Sequence, residues 1–229
     1  MLPAAETVHQ DGWLLRFTAG VSRNPNSVWP LSGGIDTLDS KIDSCERQYA
    51  DRGLTCSFRL TNDDGQTDVE KALLGRGYVI HNPNTVLTNE IPESSGDPID
   101  LVTLDGWLDT ILAVDTDHSR DAIELKRGPL ARIELPTWYG LVTQVGQPLS
   151  YGRAVMQYEL YQLAELWTHP EHRNQGLGTH LIRGLLEIGK QMGAKTAFLP
   201  VSDSNAGARR LYERLGFSEV YKYRYLIPS

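Results

Sequence analysis

Residues Arg173-Asn174-Gln175-Gly176-Leu177-Gly178-Thr179 stand between a strand-like run, Leu163 to Thr168, and a helix-like run, Gly176 to Met192. A glycine-bearing turn from strand into helix exposes backbone N–H groups at the positive end of the helix dipole. That is an anion site, best suited to phosphate. Glycine lets backbone and ligand approach where a Cβ would collide. The turn therefore points to an enzyme with a phosphate-bearing ligand rather than to a scaffold.

Two common phosphate loops fit badly. No Gly-x4-Gly-Lys-Ser/Thr string occurs in the chain, so a P-loop is excluded. The dinucleotide fingerprint needs a third glycine, and Gly176-x-Gly178 is followed by His180 and Leu181 instead. The pattern Arg-x-x-Gly-x-Gly resembles the acetyl-CoA loop of the GNAT superfamily of N-acetyltransferases.

The neighbouring sequence strengthens that resemblance. Ala164-Glu165-Leu166-Trp167-Thr168-His169-Pro170-Glu171-His172 looks like the family's fourth strand and the lead-in to the loop. Leu177, Leu181, Leu185, Ile188 and Met192 make one apolar helical stripe, with His180, Arg183, Glu187 and Lys190 opposite and Gly193 as the stop. Thr196 to Val201 reads as a buried strand and Asn205 to Leu215 as a helix capped by Ser204 or Asn205. Phe217 to Ile227 reads as a final strand. The resemblance covers about 65 residues and extends back to about residue 98. It implies an α/β (α+β) fold with a mixed, mostly antiparallel central sheet flanked by helices.

Composition agrees with such an enzyme. A chain of 229 residues, 40% hydrophobic and 22% charged, can bury one or two domain cores. No apolar run reaches transmembrane length, and Met1 to Gln10 lacks the signature of a signal peptide. The two cysteines, Cys45 and Cys56, are too few for a disulfide framework, so cytoplasmic thiols are expected. A net charge of −7 argues against nucleic acid as a partner and permits a cationic amine. No membrane association is expected, and the chain is expected to be a monomer or homodimer.

The first hundred residues repeat the same order: strand, Gly33-Gly34 turn, helix-like Ile35 to Arg52 with Ile35, Leu38, Ile42, Cys45 and Tyr49 in a stripe, strand-like Leu54 to Leu60, then a short helix Val69 to Leu74 closed by Gly75-Arg76-Gly77-Tyr78. We read a degenerate internal repeat of about 100 residues. The alternative is an unrelated small α/β domain. The expected domains are a GNAT-like lobe without a phosphate loop over 1–92 and a catalytic domain over 98–229, joined by the turn-rich stretch Asn82 to Pro98. In the first copy Leu73 stands opposite Tyr212 and Gln66 opposite Asn205.

N-acetyl transfer needs a deprotonated amine, a stabilised oxyanion and a proton for the CoA thiolate. The resemblance gives the backbone of Leu166, Trp167 and Thr168 to the pantetheine arm and thioester. It gives Arg173, Asn174, Gln175, Gly176, Leu177, Gly178 and Thr179 to the pyrophosphate, with Asn205 on pantetheine or the loop. Tyr212 is the expected general acid, or else a packed core tyrosine. Glu165 is the expected general base through water, or else a solvated or salt-bridged strand carboxylate. Trp167 has no side-chain role in catalysis. Arg209 and Arg210 reach CoA phosphates or lie exposed, and Asp203 faces the cleft or turns the chain. Asp115, Asp117 and Asp121 lie where the family often builds its acceptor-binding helix and loop; each grips an ammonium or sits on a solvated face. His169, His172 and His180 make a poor zinc pattern, so no metal is expected. The expected function is transfer of an acetyl group from acetyl-CoA to a primary amine of a small molecule, amino acid or peptide. The alternative is a non-catalytic acyl-CoA-binding or interaction module.

Overall fold

A computed structural model describes residues 2–18, 22–31, 33–93 and 96–229. The chain forms two compact units. The N-terminal unit comprises Leu2–Thr85, Ser202–Asn205 and Tyr221–Ser229; the C-terminal unit comprises Val86–Val201 and Ala206–Val220. The main division falls at residue 85/86. Ser202–Asn205 and the last nine residues pack in the N-terminal unit.

The N-terminal unit contains β1 (Glu6–Gln10), β2 (Trp13–Phe17), β3 (Val28–Pro30), α1 (Leu38–Asp51), β4 (Phe58–Thr61), α2 (Thr67–Gly75), the first part of β5 (Tyr78–Glu90) and most of β11 (Ser218–Pro228). Its strand order is β1-β2-β3-β4-β11-β5. Tyr223 to Leu226 pair antiparallel with Thr61 to Phe58. Its core gathers Trp13, Leu15, Phe17, Ile42, Tyr49, Phe58, Leu60 and Leu73. Cys45 and Cys56 are buried there as free thiols, and burial pushes the Cys45 thiol up to about 12.

Two readings of this part are corrected. Asn82, Pro83 and Asn84 lie inside β5 rather than in a linker. Pro83 lacks an N–H, yet its carbonyl accepts from the Asp203 N–H at 3.0 Å, and Asn82 takes a left-handed φ of 45°, a region in which Asn is enriched. Ile35 lies outside the helix and is 98% exposed. Thr37 caps α1 by accepting from the Ser40 N–H. The residues before the cap are held by Asp11, which stands in the β1–β2 turn. Its carboxylate accepts from the N–H of Ile35 at 2.8 Å and of Asp36 at 3.2 Å. The Lys41 ammonium lies 3.3 Å from Oδ2 and donates to the Asp11 carbonyl at 2.6 Å. A Cβ on Gly34 would collide with the Asp11 carboxylate, so a side chain there would displace it.

These contacts, the Ile35 N–H foremost, hold the Asp11 carboxyl below its ordinary value. A depressed folded-state pKa gives stability that is present above the unfolded value of about 3.9 and is lost as pH falls through the folded value. Asp11→Asn should therefore lower the thermal midpoint at neutral pH. The difference from the parent should shrink towards zero below about pH 4; a difference independent of pH would contradict the ionic role.

The C-terminal unit contains β6 (Asp100–Val102), α3 (Leu104–Val114), α4 (Arg120–Ala131), β7 (Thr137–Gln144), β8 (Gln147–Gln157), β9 (Leu160–Thr168), α5 (Leu177–Gln191), β10 (Thr196–Ser202, through Val201) and α6 (Ala206–Arg214). Its strands run β5-β10-β9-β8-β7-β6, antiparallel from β9 to β6 and parallel between β10 and β9. Leu177, Leu181, Ile182, Leu185 and Leu186 of α5 are buried against Leu163, Ala154 and Leu199 of the sheet and Tyr212 of α6. Each such leucine contributes about 1.5–3 kcal/mol by burial. The stripe is shorter than its spacing suggests: Met192 is the C-cap and is 51% exposed. Gly193, at φ 85°, ends the helix.

Candidate active site

The site is built where β9 and β10 cease to pair. Their ladder joins Leu160, Tyr161 and Gln162 to Thr196, Ala197 and Phe198 and ends there, although β9 continues to Thr168. Beyond Gln162 the β10-facing edge of β9 offers backbone N–H and C=O groups without a strand partner, a template for an extended ligand. On its other side β9 stays paired with β8. Tyr151 faces Trp167 and Arg153 faces Ala164, so two steps on β8 meet three on β9. The extra residue forms a bulge at Glu165, whose φ of 52° lies in the left-handed region. A non-glycine residue there is strained by about 1–3 kcal/mol and is a mark of functional geometry.

The loop follows directly. His169 Nδ1 accepts from the Glu171 N–H at 3.3 Å, and Pro170–His172 form a single 3₁₀ turn. Arg173 donates through Nε to the Thr168 carbonyl at 3.2 Å and is exposed. Asn174 takes φ 62° and Gly176 φ 85°. Gly176 is the N-cap of α5 and supplies no side-chain acceptor. The first N–H groups of α5, at Leu177, Gly178 and Thr179, therefore open the helix without a side-chain cap. A Cβ at Gly178 would come within 3.3 Å of Leu211 Cδ2 and Thr168 Oγ1. The helix start, the end of β9 and α6 thus meet at this point.

Tyr212 is the buried side chain of α6. It packs edge-on against Phe217 at 6.1 Å, and burial pushes its hydroxyl up to about 12. Asn205 precedes α6 and its N–H donates to the Ser202 carbonyl; it is grouped with the N-terminal unit. Asp203 Oδ1 accepts from the Thr85 hydroxyl at 2.6 Å. Arg209 lies 3.8 Å from Glu219, and Arg210 is exposed. Leu166 fills the notch above Gly152, where a Cβ would fall 2.6 Å from its Cδ2. Trp167 stacks on Tyr151 at 4.9 Å and 16°. Ser150 Oγ donates to the Trp167 carbonyl at 2.6 Å.

A polar network missed by sequence reasoning lies beside the bulge. Glu165 Oε2 accepts from Arg153 Nε at 2.8 Å, and its Oε1 lies 3.8 Å from Lys126 Nζ. Lys126 Nζ is 2.9 Å from His118 Nε2, and His118 Nδ1 is 3.0 Å from Asp115 Oδ2. Asp115 is 3% exposed and also accepts from the Tyr151 hydroxyl at 2.5 Å and the Asp117 N–H at 3.0 Å. Burial pushes its carboxyl up, but the Tyr151, Asp117 and His118 contacts outweigh burial and hold it below the usual range. Of the three candidate aspartates, Asp115 is thus internal rather than on a solvated face. The one sequence signal was its place just after an amphipathic helix.

Known proteins similar to this chain mark it as an acyltransferase enzyme. Residues 107–217 match the acetyltransferase (GNAT) family model. The chain therefore carries a GNAT acetyltransferase domain over these residues. It is 26% identical to the "Uncharacterized N-acetyltransferase YobR" of Bacillus subtilis over 94% of this chain and 89% of that protein. A solved GCN5-related N-acetyltransferase from Kribbella flavida shares the fold with a TM-score of 0.73 at 18% identity, covering 98% of this chain and 90% of the other. A tandem GNAT protein from the clavulanic acid biosynthesis pathway shares it with a TM-score of 0.64 at 13% identity, over 94% and 77%.

Proposed function

We propose that the C-terminal unit transfers an acetyl group from acetyl-CoA to a primary amine, and that the N-terminal unit is a degenerate copy that binds no CoA. The end of β9–β10 pairing at Gln162 and Phe198 carries this reading. An extended pantetheine arm laid on the open edge would pair with the backbone of Leu166, Trp167 and Thr168, much as an added strand does. The N–H groups of Leu177, Gly178 and Thr179 would take the pyrophosphate, with the Arg173 guanidinium beside it. The thioester would then lie at the bulge, where an amine can be aligned with it. Tyr212 would donate a proton to the departing sulfur.

Glu165 serves this reading as a carboxylate held in place by Arg153 and Lys126, beside the incoming ammonium, whose proton it would take through water to leave a free amine for attack on the thioester. In the N-terminal unit the Asp11 carboxylate already occupies the backbone donors before α1, and Leu73 is fully buried where the repeat has Tyr212. Calorimetric titration should give one CoA per chain. Incubation of acetyl-CoA with a mixed panel of amines should release thiol in step with acetylated amine. Binding without turnover would favour the non-catalytic module, and two equivalent sites would refute the degenerate copy.

A further inference from the structure

We propose, resting on the transferase reading above, that the acceptor is an amine that also carries a carboxylate, and that Arg153 recognises it. Arg153 is 3% exposed. Its Nε is occupied by Glu165, but its Nη1 is buried without an acceptor. Nε1 of Trp107, a side chain with no exposure, is likewise buried without one. The two orphan donors lie on one side of the sheet. Tyr139 faces Arg153 across β7 and β8, Tyr151 is two residues before Arg153, and both tyrosine rings pack on Trp107 at 5.3 and 5.7 Å.

Buried N–H groups normally have partners, so these two are donors that an oxygen-bearing guest would satisfy. A guanidinium bonded on one edge still offers a planar fork to a second carboxylate. Charge supports the same occupant. Arg153 and Lys126 face the carboxylates of Glu165 and Asp115, with His118 between Lys126 and Asp115. A polyamine would add cations where the open valences are donors. A zwitterion brings an ammonium for Glu165 and oxygens for Arg153.

The test compares L-alanine, L-leucine, L-lysine and L-glutamate with their carboxamides at saturating acetyl-CoA. At least one free acid should exceed its carboxamide in kcat/KM by about 10- to 100-fold, the worth of a charge-assisted hydrogen bond. The carboxamides have the less basic amines, so this preference runs against intrinsic reactivity. In Arg153→Gln the ratio should fall to near one, with circular dichroism and CoA affinity reporting the fold. Equal rates for acid and carboxamide in the parent protein, folded variant or not, would overturn the proposal, as would a ratio that survives in a folded Arg153→Gln. If no amine releases thiol although CoA binds, it is the transferase reading that fails. Calorimetric titration of the same pairs into CoA-loaded protein then decides this one, and heat that ignores the carboxylate rejects it.

Discussion

Replacing Tyr212 with phenylalanine is expected to lower kcat by about 10²–10⁴-fold, the usual contribution of a placed proton donor. The ring keeps its edge contact with Phe217 and its place in the α5–sheet core, so CoA affinity and thermal stability should change little. kcat and kcat/KM should fall together, as they do when an interaction is made only in the transition state. Burial pushes the hydroxyl up to about 12. The donor therefore holds its proton throughout the assayable range, and no tyrosine limb should enter the pH profile below about pH 10. Full kcat in the variant would reduce Tyr212 to packing and leave catalysis to alignment.

Gly176→Glu should weaken CoA binding by about 10²–10⁴-fold. The estimate takes two charge-assisted hydrogen bonds at about 1.5–3 kcal/mol each, with 1.4 kcal/mol per tenfold change. The position has open space around a Cβ, so the carboxylate would be free to lie over the uncapped N–H groups. Its φ of 85° makes any side chain strained, by about 1–2 kcal/mol, which a domain of ordinary stability survives. Gly176→Ala carries the same strain without the charge and isolates the electrostatic loss. Calorimetry that finds both variants binding CoA like the parent would remove the phosphate from this loop.

What could be foreseen follows the range of the forces involved. The α5 stripe and its glycine stop are local, periodic signals, and Leu177, Leu181 and Leu185 lie where their spacing puts them. Met192 fails because a cap residue no longer faces the sheet. β5 was hidden because Asn82 and Pro83 look like punctuation, whereas carbonyl pairing with Asp203, far along the chain, holds them in a strand. The bulge at Glu165 comes from a cross-strand mismatch and has no sequence pattern of its own. The chain from Asp115 to Arg153 joins the α3–α4 connection, α4 and two strands, so no spacing rule could assemble it. The loop was legible because glycine is needed at Gly176 for a backbone reason that is purely local.

Asp11 shows how little separates a receptor from a brace. Two backbone donors and a lysine ammonium converge on its carboxylate, the equipment by which proteins hold a free anion. Here the anion is covalently part of the chain and arrives with the β1–β2 turn. Its effective concentration does not fall on dilution, as that of a diffusing guest does. A surface that elsewhere responds to the supply of metabolite is set to permanent occupancy, and the hairpin gains a tether in return.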